Sequence, residues 1–514
     1  MKKNFKFDLL LLFVLGCLTS LSLPPLNFFL LNFITLSFFF IFLFKKLDQQ
    51  LPKKYFFYYG WFFGFGYFLT SLYWITISLT FDKNFSFLIP ISLILIPSFL
   101  ALFYGLISFI FYLFKPKNIL SAFFLFSLLF GIIEFIRGTI LTGFPWNLIV
   151  YSFSESLDFI SVISYIGTYS LNLITISFFI LPGLFFLRNT KKDIVVCFLF
   201  LLLPIIFVGF GNFQKKSFLN YKIKENPYTI RVIGSNIDLE RFYNNTNPED
   251  IINELISISS PEKNRNIFFV WPEGIIPNTY QDELELYNDL IKQHFDEHHL
   301  IALGLISREI KDNEFNFYNS ISVFDNNLKL ISEYKKINLV PFGEFLPLEK
   351  ILNKIGLKTI TKNIGSFTKG KERKIIEIKK KDQSFKFLPL ICYEIIYSGN
   401  LSKNFDFDFI LNISEDGWFG KSIGPKQHFA HSIFRSIEHG KYLVRASNNG
   451  KAAIINPLGQ IVKKIDYGKT GYIDFINRRD FKKTIFSTYG NKIFVILILL
   501  YIFLTFSFNR FRNE

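Results

Sequence analysis

The sequence predicts a chain of two fold classes: a polytopic α-helical membrane domain of eight spans, and an α/β layered domain inserted before the last span. Three observations predict it. Apolar runs fill residues 1–213 almost without interruption and return after residue 491. The short loops between these runs alternate between strongly basic and nearly charge-free. Residues 226–480 alternate β-rich runs with helical stretches, as a soluble domain does.

The apolar runs cover residues 7–23, 26–44, 56–79, 87–114, 119–136, 159–187, 194–213 and 493–508. Most approach the ~20 residues that cross a bilayer core, and the first and last are the shortest. Lys2, Lys3 and Lys6 precede the first run, Lys45, Lys46, Lys53 and Lys54 follow the second, and Lys115 and Lys117 follow the fourth. Arg188, Lys191 and Lys192 follow the sixth, and Arg510 and Arg512 follow the last. The other loops hold only Lys83 and, at an edge, Arg137. Basic loops stay in the cytoplasm, so both termini are expected there. With seven spans before it, the domain is expected outside, in the periplasm of a cell with two membranes. Val14 to Cys17 loosely resemble a lipoprotein cleavage site, but an immediate second apolar run argues for a retained helix.

A net charge of +16 raises nucleic acid as a partner. Its distribution argues otherwise. Residues 1–213 carry 14 Lys and Arg against 7 Asp and Glu, placed in the short loops, and no zinc-finger or RNA-binding aromatic pattern accompanies the rest. Of three cysteines, Cys17 and Cys197 lie in apolar runs; Cys392 alone belongs to the soluble domain, which can form no internal disulfide.

Within that domain, residues 228–237 and 266–274 read as buried strands. Residues 247–259 between them read as a helix with Pro and acids at its start. Residues 318–334 read as a hairpin around Asp325-Asn326-Asn327. Residues 385–394, 407–414 and 442–447 are further strands, and 427–441 a helix.

Reactive side chains follow several of these strands: Glu273 in WPEG, Lys336 in YKKINLVPFGEFLP, and Cys392 in FLPLICYE. Strand ends of α/β sheets are where loops present catalytic groups. The three make a complete chemical set. Thiol attack on an ester needs a thiolate, scarce at neutral pH for a free pKa of ~8.5. A carboxylate can take the proton, and an ammonium can favour the thiolate and then the oxyanion. The resulting thioester awaits a second nucleophile, which the same carboxylate can deprotonate.

The order Glu, Lys, Cys resembles the nitrilase (carbon–nitrogen hydrolase) superfamily, whose domain is an α-β-β-α sandwich. The closer resemblance is to the apolipoprotein N-acyltransferase family, which inserts that domain between its seventh and eighth membrane helices. It extends over essentially the whole chain: residues 134–147, WPEG (271–274), KINLVPFGEFLP (336–347), CYE (392–394), GWFG (417–420), GPKQH (424–428), RSIEHGK (435–441), RASNNG (445–450) and TIFSTYGN (484–491). The resemblance implies a membrane part over 1–213, a catalytic domain over 214–491, and a last helix with cytoplasmic tail over 492–514. It implies Glu273 as general base, Lys336 as transition-state stabiliser, Cys392 as nucleophile and Glu344 as an essential supporting carboxylate. Tyr393, Glu394 and Trp418 are supporting or substrate-binding positions. The implied donor is a phospholipid, usually phosphatidylethanolamine, and the implied acceptor an S-diacylglyceryl-cysteine apolipoprotein; no metal, cofactor or nucleic acid is implied.

Two departures stand out. Where the family commonly has SNDAWFG, this chain has Ser414-Glu415-Asp416-Gly417-Trp418, and Tyr243 is nearest to a position where the family often has Trp. Other features read more plainly. His294, His298 and His299 suggest surface imidazoles in a polar turn rather than a metal site. His428 and His431 could pair with the thiol, though nothing beyond their presence supports it. Arg435 and Glu438 read as a structural helix pair. Glu134 and Arg137 are either a functional pair at membrane depth or a salt bridge. Trp418, Phe419 and Phe342 read as loop aromatics that contact acyl chains.

The expected reaction is ping-pong transfer of a fatty acyl group from phospholipid to the apolipoprotein amino terminus, in the bacterial inner membrane. A membrane-tethered amidase using water as acceptor is the alternative, and a non-enzymatic scaffold a third reading. The leading spans favour the first, because a soluble amide needs no membrane part.

Overall fold

The computed structural model describes residues 2–244, 246–311, 313–347, 366–380, 383–399, 401 and 406–510. Arg512, read above as a cytoplasmic charge, lies outside them. The chain divides into two compact units: Met1–Ser217 with Ser422–Ala430 and Thr484–Glu514, and Phe218–Lys421 with His431–Lys483.

The first unit is helical. Six helices among the described residues are long and apolar enough to cross a membrane: Lys53–Thr80, Lys83–Phe114, Ile119–Thr139, Ile163–Phe186, Lys191–Leu219 and Lys492–Asn509. The sequence predicts eight. The first two expected spans do form helices, Lys2–Ser20 and Leu30–Lys46. The second has only 17 residues, and the first opens on Lys2, Lys3, Lys6 and Asp8, so neither is both long and apolar enough. The expected span over 159–187 is interrupted at Gly167, whose φ of +79° is non-helical.

Helices pack closely in this unit because glycines let backbones meet. A Cβ on Gly66 would lie 2.1 Å from the Phe13 carbonyl oxygen, and one on Gly60 2.1 Å from that of Tyr104. Glu134 and Arg137 are a buried ion pair. Tyr104 donates to Glu134 at 2.6 Å, and Arg137 donates to the Phe144 carbonyl. The pair therefore anchors the loop that follows its helix, as the salt-bridge reading has it.

The second unit is built on strands β1 (Ile223–Ser235), β2 (Ile267–Val270), β3 (His299–Lys311), β4 (Glu314–Asp325), β5 (Leu330–Lys335), β6 (Ile376–Lys380), β7 (Gln383–Ile391), β8 (Phe409–Glu415), β9 (Tyr442–Asn448), β10 (Ala452–Ile455), β11 (Ile461–Ile465) and β12 (Gly471–Arg479). Their order is β5-β4-β3-β2-β1-β9-β8-β7-β6; β12 pairs with β1, and β10 with β9 and β11. Strands β3, β2, β1, β9, β8 and β7 run parallel.

Residue chemistry explains the layering. In β2, Phe268 and Val270 face one core, while Ile267, Phe269 and Trp271 face another, shared with Ile252, Leu255 and Ile256 of the helix Pro248–Ser259. Both faces are apolar, as a doubly covered parallel strand requires. The first core is a junction between sheet halves. Phe268 meets Phe385 and Phe387 of β7 at ring-centroid distances of 5.1 and 5.8 Å, although three strands separate β2 from β7 in the order. Only Gly234–Ser447 and Ser235–Asn448 join β1 to β9, so the sheet folds back on itself there.

The β4–β5 hairpin forms where predicted. The Asp325 carboxylate accepts from the Asn327 and Lys329 amides at 2.8 and 3.0 Å, and Leu328 takes a φ of +55°. His299 is a correction: it is fully buried at the start of β3, not on the surface. Its Nδ1 accepts from the Asp296 amide at 3.1 Å and its Nε2 lies 2.9 Å from the Glu262 carbonyl. That pattern is a neutral structural imidazole, and burial lowers its pKa accordingly.

Candidate active site

The parallel strands bring the predicted residues to their common carboxyl-terminal edge. Glu273 follows β2, Cys392 follows β7, and Lys336 follows β5, which runs parallel to β3 through two antiparallel pairings. Glu344 enters on a tight turn: its amide donates to the Val340 carbonyl at 2.8 Å, and its Oε2 accepts from the Val340 amide at 2.8 Å.

Lys336 is the hub. Its side chain is 1% exposed, and Nζ donates to Glu344 Oε1 at 2.8 Å and Glu273 Oε1 at 3.2 Å. Burial alone pulls such an ammonium down. The charges of Glu273, Glu344 and Cys392 outweigh it, and the group is held well above its usual value, hence charged. Asn319 of β4 completes the fork, its Nδ2 donating to the same two oxygens at 2.8 and 2.7 Å. The other Glu273 oxygen, Oε2, accepts from the Glu415 amide at 3.0 Å.

Cys392 is buried and has a φ of +46°, a left-handed backbone that a non-glycine residue adopts at a cost of about 1–3 kcal/mol. Burial pushes its thiol well up, and Glu273 and Asp416 add to this; Lys336 and a hydrogen bond with Ser414 oppose them. The net direction leaves the resting thiol protonated, so its use as a nucleophile requires a base beside it. Glu273 is close enough to act on it electrostatically.

Three further residues are expected at the site. Glu394 is fully buried and holds main chain. Its Oε1 accepts from Tyr334 Oη (2.7 Å), the Ile337 and Asn338 amides (3.0 and 3.1 Å) and Arg373 (2.6 Å), and its Oε2 from the Ile391 amide (2.9 Å). It thus ties the Lys336 turn to the Cys392 turn. Burial raises its carboxyl, but Arg373 and the hydrogen bonds prevail, and the net shift is downward. Tyr393 packs edge-on against Tyr397. Trp418 stacks on Phe242 at 5.8 Å.

Sequence reasoning missed Asn319 and Arg373. No local signal marks Asn319; it matters because β4 lies beside β5. His428 stacks on Trp146, at 5.4 Å. Arg435 and Glu438 are a buried pair at 3.0 Å, and Glu438 accepts from Ser398 at 2.6 Å. Phe342 is 49% exposed in its turn.

The carbon–nitrogen hydrolase family model matches residues 251–475. The model of the apolipoprotein N-acyltransferase N-terminal domain matches residues 15–181. Similar proteins include an apolipoprotein N-acyltransferase of Rhodopseudomonas palustris, 32% identical over 86% of this chain and 84% of that one. The one from Rickettsia typhi is 32% identical over 93% of this chain and 94% of its own. The chain belongs to the apolipoprotein N-acyltransferase family. Among solved structures, an amidase from Nesterenkonia matches with a TM-score of 0.33 and 11% identity, over 53% of this chain and 97% of that one.

Proposed function

We propose that the chain moves a fatty acyl group from a phospholipid to the amino terminus of a diacylglyceryl apolipoprotein, with Cys392 as nucleophile, Glu273 as general base and Lys336 as oxyanion stabiliser. The supporting observation is the buried Lys336 ammonium, held between Glu273 and Glu344 and coupled electrostatically to the Cys392 thiol.

Glu273 takes the thiol proton as sulfur attacks the ester carbonyl of the donor. Lys336 faces the negative charge that develops on the carbonyl oxygen. The C–O bond breaks, Glu273 returns the proton to the leaving alkoxide, and lysophospholipid departs. The acceptor amine then attacks the thioester and gives its proton to Glu273. The C–S bond breaks, and the thiolate recovers that proton. Glu344 and Asn319 keep Lys336 and Glu273 in register throughout.

The donor is phosphatidylethanolamine. Counting the charge-led helix Lys2–Ser20 and the short helix Leu30–Lys46 with the six longer apolar ones, the membrane part has eight spans, seven over 1–213 and one in 492–514, and residues 214–491 form an α-β-β-α catalytic domain. Both termini lie in the cytoplasm and that domain in the periplasm, a reading the basic loops support. Tyr393, Glu394 and Trp418 are supporting or substrate-binding residues.

The test is incubation of the purified chain with phospholipid carrying a labelled acyl group. Hydroxylamine-sensitive label on Cys392, absent from Cys392→Ala, is the expected result. Label that persists in Cys392→Ala refutes the assignment.

A further inference from the structure

Glu415 is a charge where the family commonly has none, and it sits at the end of β8 directly against the base. Its amide holds Glu273 Oε2 at 3.0 Å. Its side chain is 3% exposed, and Arg241, 2% exposed, donates to its Oε2 at 2.5 Å. Asn448 donates to the same oxygen at 2.7 Å, and the Gly417 amide to Oε1 at 2.9 Å.

Arg241 reaches back toward the base along a second route. Its Nε donates to the Ile275 carbonyl at 3.0 Å, and its Nη2 lies 3.4 Å from the Gly274 carbonyl. Those two residues directly follow Glu273. The contacts therefore close a ring: Glu273 carboxylate, Glu415 amide, Glu415 carboxylate, Arg241 guanidinium, the carbonyls after Glu273, and Glu273 again. Phe242 adds a wall, since the Arg241 guanidinium lies 4.2 Å over its ring, which itself stacks on Trp418.

We infer that Arg241 and Glu415 form a clamp that aims the Glu273 carboxylate, so that in this chain a buried ion pair sets the geometry of the general base. Both are positioning residues. The rest of the surroundings fits this role. Burial is the largest influence on the Glu415 carboxyl and raises it on balance, although Arg241, Asn448 and Gly417 oppose it; a charge left unpaired at this depth is costly. Gly274 has a φ of +52°, so the turn after the base is conformationally permissive, and the Arg241 hydrogen bonds pin its carbonyls. A misplaced base costs rate without removing the thiol.

The inference rests on the proposed roles of Glu273 and Cys392, and the test separates the two. The probe is p-nitrophenyl butyrate, a soluble activated ester. Attack by Cys392 forms the butyryl thioester and releases p-nitrophenol, read as a burst, with no need of phospholipid. Glu273→Gln is expected to slow the burst about 10²–10⁴-fold. Arg241→Gln and Glu415→Gln are each expected to slow it at least ~10-fold. Added to Glu273→Gln, either should slow it by less than about twofold, because their effect passes through that carboxylate. The neutral pair Arg241→Gln with Glu415→Gln should recover part of the rate of the worse single variant and keep the chain folded, as read by thermal melting.

A burst that survives Cys392→Ala overturns both the reaction reading and the clamp. A Cys392-dependent burst that is indifferent to both single substitutions overturns the clamp alone. So does full additivity with Glu273→Gln, which would mark a merely structural role.

Discussion

Replacing Glu394 by Gln tests how the two reactive turns are held together. The carboxylate is fully buried and accepts five hydrogen bonds, one of them from Arg373, at 2.6 Å. At an effective dielectric constant of about 20, Coulomb attraction at that separation is roughly 6 kcal/mol before desolvation. Removing one partner of such a pair costs a net ~3–5 kcal/mol, because the other charge stays buried. Gln also presents an NH₂ to the Ile391 amide or to the four donors on the other side, so at least one donor faces a donor. For a catalytic unit of this size, 1 kcal/mol moves the melting point by about 2–4 °C, and Glu394→Gln should lower it by roughly 6–20 °C. Arg373→Met should cost a similar ~3–5 kcal/mol, since it leaves the fully buried Glu394 charge without its counter-charge although four neutral donors remain. Acylation of Cys392 should fall in both variants, because Ile391 adjoins Cys392 and Ile337 adjoins Lys336. The pH dependence has a definite sign. The Glu394 carboxyl is lowered in the folded protein, so its contribution is present above the usual carboxylate range and is lost on acidification. The wild-type advantage over Glu394→Gln should shrink as the pH falls below about 4.5. Differential scanning fluorimetry in detergent and labelled-phospholipid acylation measure both effects. A Glu394→Gln protein that melts within about 2 °C of wild type, a loss of no more than about 1 kcal/mol, and acylates at the wild-type rate refutes the reasoning.

Gly304→Ala should slow acylation at least ~10-fold and cost about 1–3 kcal/mol, because the new Cβ would lie 2.5 Å from the Glu273 Cα; burst kinetics and melting read the two effects. Asn319→Asp should slow acylation more than Asn319→Leu, although it is closer in shape, since it places a third carboxylate against Glu273 and Glu344; single-turnover acylation compares them. His439, fully buried beside Phe407, has its pKa pushed down to about 3 by burial and by Arg435, Lys441 and Arg373. It must be neutral in the folded protein, so stability should fall by up to ~1.4 kcal/mol per unit as the pH drops below about 6.5. His439→Phe should flatten that limb of the melting-point curve, and an unchanged limb would contradict the assignment.

Local signals in the sequence sufficed for some of this and not for the rest. Period-two burial in β2, the Asp325 turn and the Pro at the start of the helix Pro248–Ser259 act over a few residues, so they are readable along the chain. Long apolar runs announce membrane helices for the same reason, though length and charge at the first two leave six that are fully qualified among the described residues. Glu273, Lys336, Glu344 and Cys392 were visible through their loops and their resemblance to family blocks. The partners that position them were not. Asn319 acts because β4 neighbours β5, Arg373 because Glu394 needs a counter-charge, and Arg241 because β8 ends beside the turn after β2.

The sequence by itself determined the division into an apolar helical part and an α/β part, and several of the central strands, since hydropathy, period and residue chemistry are properties of neighbours in the chain. Only the tertiary structure decided that the sheet folds back, that His299 is buried, and that Lys336 sits 2.8 and 3.2 Å from two carboxylates drawn from different loops. The physical reason is distance: hydrogen bonds and ion pairs act over a few ångströms, and folding alone brings residues 63 positions apart within that range.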